Sequence, residues 1–168
     1  MMEDMSYLCR YRKSINQIRF NMNTEIKKRI EALRGFMNKK GITAFVVPST
    51  DPHAGEYVPE HWESRKWISG FTGSAGTAVI TSQNGGLWTD SRYFIQAEEQ
   101  LDGTGIRLFK ERMPETPSIA EWLSETLANG DSVGIDGKTC GVEYFSQLSD
   151  DLKDFGISLL DTEDPFDE

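Results

Sequence analysis

Three glycines spaced three apart, Gly70, Gly73 and Gly76, most invite a chemical reading of this sequence, because glycine-rich loops can cradle phosphates with backbone N–H groups. The pattern around them is wrong for that. A dinucleotide fingerprint is G-x-G-x-x-G opening a helix, and a P-loop carries Lys-Ser or Lys-Thr straight after its last glycine. Gly76 is followed instead by Thr77-Ala78-Val79-Ile80-Thr81, an apolar, β-branched run that reads as a strand. The glycines therefore predict a tight entry to a buried strand, using positive φ and close approach to a neighbour. Metal chemistry finds as little support. His53 and His61 are the only histidines, and neither lies in an H-x-x-x-H or comparable cluster. The acidic tail Asp161-Thr162-Glu163-Asp164-Pro165-Phe166-Asp167-Glu168 reads as a solvated terminus. Cys9 and Cys140, without C-x-x-C spacing, read as reduced, unpaired thiols. No catalytic residue and no metal ligand is assigned.

Charge and composition narrow the partners. A formal net charge of -9 argues against a phosphate-backbone ligand, which clustered Lys and Arg would attract, so nucleic acid is not expected. No apolar run approaches the roughly 20 residues of a membrane span, and the N-terminus lacks a signal-peptide core. The expectation is a cytoplasmic protein. With 168 residues and 38% hydrophobic content, the chain can bury one sizeable core.

These residues must be positioned by a scaffold, and its pattern is legible from Asn23 onward. Residues 1–21 are mixed in polarity, carry Arg10, Arg12, Lys13 and Arg19, and show no sustained period, so they read as an extension or flexible arm. Asn23 or Thr24 is expected to cap a helix with Ile26, Ile30, Leu33, Phe36 and Met37 on one face, ended by Gly41. A buried strand over 42–47 stops at Pro48, a polar loop covers 49–59, and a short helix over 62–68 turns Trp67 and Ile68 to the core. Strands over 77–81 and 87–89 flank the hairpin signal Asn84-Gly85-Gly86. A helix over 93–101 and a strand over 106–109 follow, then a helix capped by Thr116 with Pro117 in its first turn. A strand over 132–135, a helix over 142–152 with Val142, Phe145, Leu148 and Leu152 inward, and a strand over 157–160 complete the pattern. The alternation predicts an α/β fold: a three-layer α/β/α sandwich on a mixed, mostly parallel sheet with one β-hairpin.

Three blocks then carry a resemblance. Ser49-Thr50-Asp51-Pro52-His53 with Glu56-Tyr57, Ser69-Gly70-Phe71-Thr72-Gly73-Ser74-Ala75-Gly76-Thr77, and Leu87-Trp88-Thr89-Asp90-Ser91-Arg92-Tyr93-Phe94 resemble the N-terminal domain of Xaa-Pro aminopeptidases (aminopeptidase P), of the creatinase and prolidase superfamily. Ser91 stands where the family usually has glycine. The resemblance implies a creatinase N-terminal-like domain over 22–163. The resemblance also implies that residues 164–168 begin a linker to a C-terminal catalytic domain absent from this chain. It further implies that two divalent metal ions, manganese or cobalt, act in that absent domain on peptides with proline in the second position, and that the parent is a possible homo-oligomer. This chain alone would be inactive and would shape substrate access. The alternative is a non-enzymatic peptide- or protein-binding module of the same superfamily.

Substrate-binding candidates are His53, Tyr57, Trp88 and Arg92. His53 either donates a hydrogen bond to a peptide or fixes its loop through a backbone carbonyl. Tyr57 either lines the cleft or packs its ring under the loop. Trp88 is either core packing or, as the resemblance implies, a wall for a hydrophobic side chain. Arg92 is either locked to Asp90 or free to hold a peptide carbonyl or carboxylate.

Overall fold

The computed structural model describes residues 2–52 and 58–166, with side chains from 17 onward in the first helix. Helix α1 spans Met2–Lys40, β1 Ala44–Pro48, α2 Ser64–Ser69, β2 Thr77–Thr81, β3 Gly85–Thr89 and α3 Phe94–Leu101. Strand β4 spans Ile106–Lys110, α4 Ile119–Ser124, β5 Ser132–Asp136, α5 Val142–Lys153 and β6 Ser158–Thr162.

The six strands form one sheet in the order β4-β3-β2-β1-β5-β6. β2 is antiparallel to both neighbours, whereas the β3–β4, β1–β5 and β5–β6 pairs are parallel. Five strands therefore end on the same rim, where β2 begins. One face of the sheet carries Phe45, Ala78, Ile80 and Leu87 against Ile26, Leu33 and Met37 of α1, Ile68 of α2 and Ala97 of α3. The other carries Val46, Val79, Trp88 and Ile135 against Trp122 and Leu123 of α4 and Leu148 and Leu152 of α5. This is the expected α/β sandwich, with helices on both faces as burial of a two-sided sheet requires.

Local differences have physical causes. Neither Asn23 nor Thr24 caps α1, which is continuous through both. Arg19 bonds the Glu99 carbonyl and lies 3.6 Å from the Asp102 carboxylate, while Asn23 donates to the Asp102 carbonyl at 2.9 Å, so the helix finds partners before Met22. Pro48 belongs to β1, paired with Thr77 at the strand's end. The hairpin tip is Ser82-Gln83, and Gly85 and Gly86 lie within β3. Thr81 closes that tip by accepting from the Asn84 N–H at 2.9 Å. Trp67 does not face the core: it is 43% exposed while Ile68 is fully buried, because adjacent helical residues point about 100° apart. Trp67 lies instead beneath the Arg29 guanidinium and beside Phe166. α4 is capped by Ser118, which forms a reciprocal capping box with Glu121, so Thr116 and Pro117 precede the helix. Val142, expected inward, opens α5 at 88% exposure.

Candidate functional site

The rim where five strands end and β2 begins gathers the three sequence blocks, and one buried cation organises them. Arg65, on the face of α2 shared with Ile68 and Ser69, is 5% exposed. Its Nε donates to Ser49 Oγ at 2.6 Å, its Nη1 to the Phe71 carbonyl at 2.5 Å, and its Nη2 to the Gly73 carbonyl. Ser49 Oγ in turn donates to the Gly76 carbonyl at 2.7 Å. The guanidinium also lies over the Phe71 ring, 4.9 Å from its centroid. Burial lowers the Arg65 pKa to about 10, so the side chain remains a cation at neutral pH, held by neutral oxygens and a ring face. Thus the end of β1, the 70–76 loop and the start of β2 are bolted together.

The glycines of that loop serve this packing. Gly70 ends α2 in the left-handed region at φ 74°. A Cβ on Gly73 would lie 2.3 Å from the Phe71 ring, and one on Gly76, at φ +153°, would meet the Trp88 carbonyl at 2.8 Å. The motif is a close backbone crossing that lets Thr89 donate to the Ala75 carbonyl at 2.6 Å. No phosphate cradle is needed to explain it.

At the end of β3, Asp90 caps the 91–93 turn. Its carboxylate accepts from the Arg92 backbone N–H at 3.0 Å, from Nε at 2.9 Å and from Nη2 at 2.7 Å. The hydrogen bonds from the Arg92 side chain hold the Asp90 carboxyl at about 2, below the usual carboxylate range. Asp90 in return raises the Arg92 pKa. The Arg92 side chain is 67% exposed, and its remaining N–H donors face outward. Next to it, Tyr93 Oη and Ser74 Oγ share a hydrogen bond of 2.7 Å, which lowers the pKa of the Tyr93 phenol.

Trp88 points to the opposite face from Arg92's turn, whose Tyr93 packs toward α1 and α3. It is 3% exposed, stacked 4.1 Å from Phe109 and edge-on to Trp122 at 5.3 Å, with Nε1 donating to the Pro117 carbonyl at 2.9 Å. The Asp90–Arg92 pair is a local ion pair with free donors, so both readings of that arginine remain compatible with the geometry. His53 and Tyr57 lie outside the described residues. Asp51, just before them, is buried. Sequence reasoning missed Arg65. Its signal was available: an arginine three residues before Ile68 and four before Ser69 shares their inward face.

Among the described residues, no group of three His, Cys, Asp or Glu side chains is placed to hold a metal ion. No helix among them is long and apolar enough to cross a membrane.

Comparison with known proteins places these features. The Creatinase/Prolidase N-terminal domain family matches residues 29–168. The chain is 40% identical over 139 residues to Xaa-Pro aminopeptidase 1 of Dictyostelium discoideum, covering 83% of this chain and 22% of that protein. It is 42% identical over 132 residues to Xaa-Pro aminopeptidase 2 of Rattus norvegicus, covering 79% and 19%. The chain thus spans about a fifth of these relatives. Among solved structures, the Caenorhabditis elegans X-prolyl aminopeptidase, described as a cytosolic enzyme with a di-nuclear active site, superposes with a TM-score of 0.72 at 29% identity, over 89% of this chain and 25% of that one. An N-terminal creatinase/prolidase-like domain of a putative metallopeptidase from Corynebacterium diphtheriae shares the fold at a TM-score of 0.56 and 23% identity, over 82% and 95%. The chain belongs to the creatinase/prolidase N-terminal domain family, as an N-terminal domain of the Xaa-Pro aminopeptidase type.

Proposed function

We propose that this domain forms a non-catalytic wall beside the metallopeptidase domain of a cytoplasmic Xaa-Pro aminopeptidase, orienting peptides with proline in the second position. The observation that carries this reading is the Asp90–Arg92 pair on the Arg65 lattice. Two donors hold Arg92 in one orientation, and the others are presented at an immobile rim. Such a guanidinium recognises a peptide carbonyl or carboxylate without activating water. His53 and Tyr57, from the loop after β1, would complete this rim. Trp88 supports it from behind by packing the end of β3. The two divalent ions, manganese in this reading, belong to the catalytic domain and supply the nucleophilic water there.

The test is Arg92→Ala in the full-length parent. Loss of a charge-assisted hydrogen bond to substrate lowers kcat/KM by roughly ten- to a hundredfold with metal content unchanged. Unchanged kinetics in a folded variant would overturn the assignment. In the same reading residues 22–163 form the domain body and 1–21 an arm, so removing the arm should leave cooperative unfolding intact.

A further inference from the structure

Beyond β6 the chain does not run into solvent. The acidic sequence over 161–168 suggests a solvated terminus, and terminal segments ordinarily stay loose because ordering them costs conformational entropy. Residues 161–166 are instead held in succession. Asp161 accepts from the Gly137 N–H at 2.9 Å, Glu163 lies 2.6 Å from Lys40 at the end of α1, and Asp164 accepts from the Phe166 N–H at 2.8 Å, closing a turn around Pro165. Past that turn the half-buried Phe166 packs on the core beneath α1 and meets Trp67 edge-on, with 5.4 Å between ring centroids. Trp67 is itself 43% exposed, yet Arg29 fixes it: the guanidinium lies 4.6 Å from the ring centroid, and Nη1 donates to the Trp67 carbonyl at 2.8 Å.

This strap fills a place where an open α/β sheet commonly takes a ligand. The neighbouring parallel strands β1 and β5 lead to α2 and α5 on opposite faces, which leaves a crevice beyond their ends. Asp164 and Phe166 close it, leaving about 10 Å³ beside Pro48, Trp62 and Asp136, roughly the space of one water. Charge does not hold the strap down. Asp161 and Asp164 stand near the buried Asp136 with like charge, and the Lys40–Glu163 pair is exposed, where an ion pair contributes little. The aromatic contact is what remains.

We propose that residues 163–166 are a clasp that sets the direction in which the chain leaves this domain, with Phe166 on Trp67 as its anchor. Phe166 is then a positioning residue for the rim that carries Arg92. This chain spans about a fifth of its relatives, and a side chain on a domain of that size reaches a distant cleft reproducibly only if the domain keeps one pose against the rest. The inference rests on the reading of the domain as a wall beside a catalytic domain.

The clasp is tested first by amide relaxation NMR on the 168-residue chain. Order parameters of the Glu163, Asp164 and Phe166 amides should stand near about 0.85, the rigid-backbone value. Phe166→Ala and Trp67→Ala should each bring those of residues 163, 164 and 166 below about 0.6, and the double variant should go no further, because both remove one contact. Low values in the unaltered chain, or a strap that stays rigid in both folded single variants, overturn the clasp. In the full-length parent, Phe166→Ala should lower kcat/KM for a peptide with proline in the second position by about fivefold or more with metal content unchanged. Arg92→Ala should then cost less in the Phe166→Ala background than in the unaltered parent, since the guanidinium is already displaced. Where Arg92→Ala alone impairs turnover, additive losses or an unaffected Phe166→Ala overturn the positioning role. Where Arg92→Ala alone changes nothing, the peptide-orienting reading has failed, and small-angle scattering of the parent decides the clasp: a maximum dimension that grows in Phe166→Ala upholds it, and superimposable curves overturn it.

Discussion

Arg65 and Asp136 are both charged, both 5% exposed and both near the rim where five strands end, yet the fold treats them oppositely. Arg65 meets three oxygens and an aromatic face. Asp136, the last residue of β5, receives the Lys138 N–H on Oδ1 at 3.0 Å, while its buried Oδ2 has no partner. Burial is the main cause that raises its pKa, with Asp164 and Asp161 adding like-charge repulsion. The difference teaches that the β1–β2–β3 part of the rim is a fixed scaffold. The β5–β6 part is where charge is left unbalanced and stability responds to pH.

The strongest way to break this contrast is Arg65→Met, which keeps much of the apolar stem and removes every donor. It leaves Ser49 Oγ and the Phe71 and Gly73 carbonyls short of a partner in a buried setting, and should cost roughly 3 to 5 kcal/mol in urea or thermal unfolding. A loss under about 1 kcal/mol would mean that the loop is held by its glycines and not by the guanidinium.

Gly76→Ala probes the same scaffold through the backbone. The new Cβ meets the Trp88 carbonyl at 2.8 Å at a φ of +153°, so neither side-chain motion nor ordinary backbone relaxation relieves it. The expected loss is about 2 kcal/mol or more. A neutral effect would show that β2 can shift away from β3.

On the other side of the rim the sign reverses. Because the folded-state pKa of Asp136 is raised, the group favours folding most below the ordinary carboxylate range, and that contribution is lost as pH rises through the raised value. Asp136→Asn should therefore stabilise the protein near neutral pH, on the order of 1 kcal/mol, and flatten its stability between acid and neutral pH. Equal destabilisation at every pH would show that the carboxylate holds the 136–139 turn through the Lys138 N–H instead.

Much of this contrast was legible in the sequence, and the rest failed for identifiable reasons. The sequence predicts strand β2 at its observed ends because β-branched residues bounded by turn signals form a strand there, and the glycine motif reads as packing because no helix or Lys-Ser/Thr follows it. The sequence pattern puts the hairpin tip too late, because Gly85 and Gly86, a turn signal in isolation, lie inside β3 under the side chains of Ile80, Ile106, Trp88 and Phe109. Apolar character turns Trp67 inward although Ile68 holds the inward phase, whereas Val142 shares the helical phase of Phe145 and Leu148 and is exposed as the first residue of α5. Arg65 escapes notice for the converse reason: its phase with Ile68 and Ser69 points inward, but charge suggests solvent, and only the assembled loop carbonyls make its burial affordable. The unpaired state of Asp136 Oδ2 is likewise a property of packing across β5, β6 and the tail.

The smallest expected stability effect separates the rim's scaffold from what it displays. Arg92 is exposed and bonded only to Asp90 and its own turn, so Arg92→Ala should cost at most about 1 kcal/mol of stability at pH 7. The sensitive readout is the carboxyl of Asp90. With Arg92 present its pKa is depressed to about 2, so the pair's contribution is complete above 3.8 and is lost as pH falls through about 2. In Arg92→Ala the side-chain hydrogen bonds, the largest depressing cause, are gone while the backbone N–H of residue 92 still donates, so the Asp90 carboxyl resonance should titrate higher than in the unaltered chain, toward 3.8. Arg92→Lys, a single point charge without the fork, should fall between the two. An Asp90 titration unmoved by either substitution would place Arg92 away from the carboxylate in solution, and the rim would then lack the fixed guanidinium on which its proposed role in orienting peptides rests.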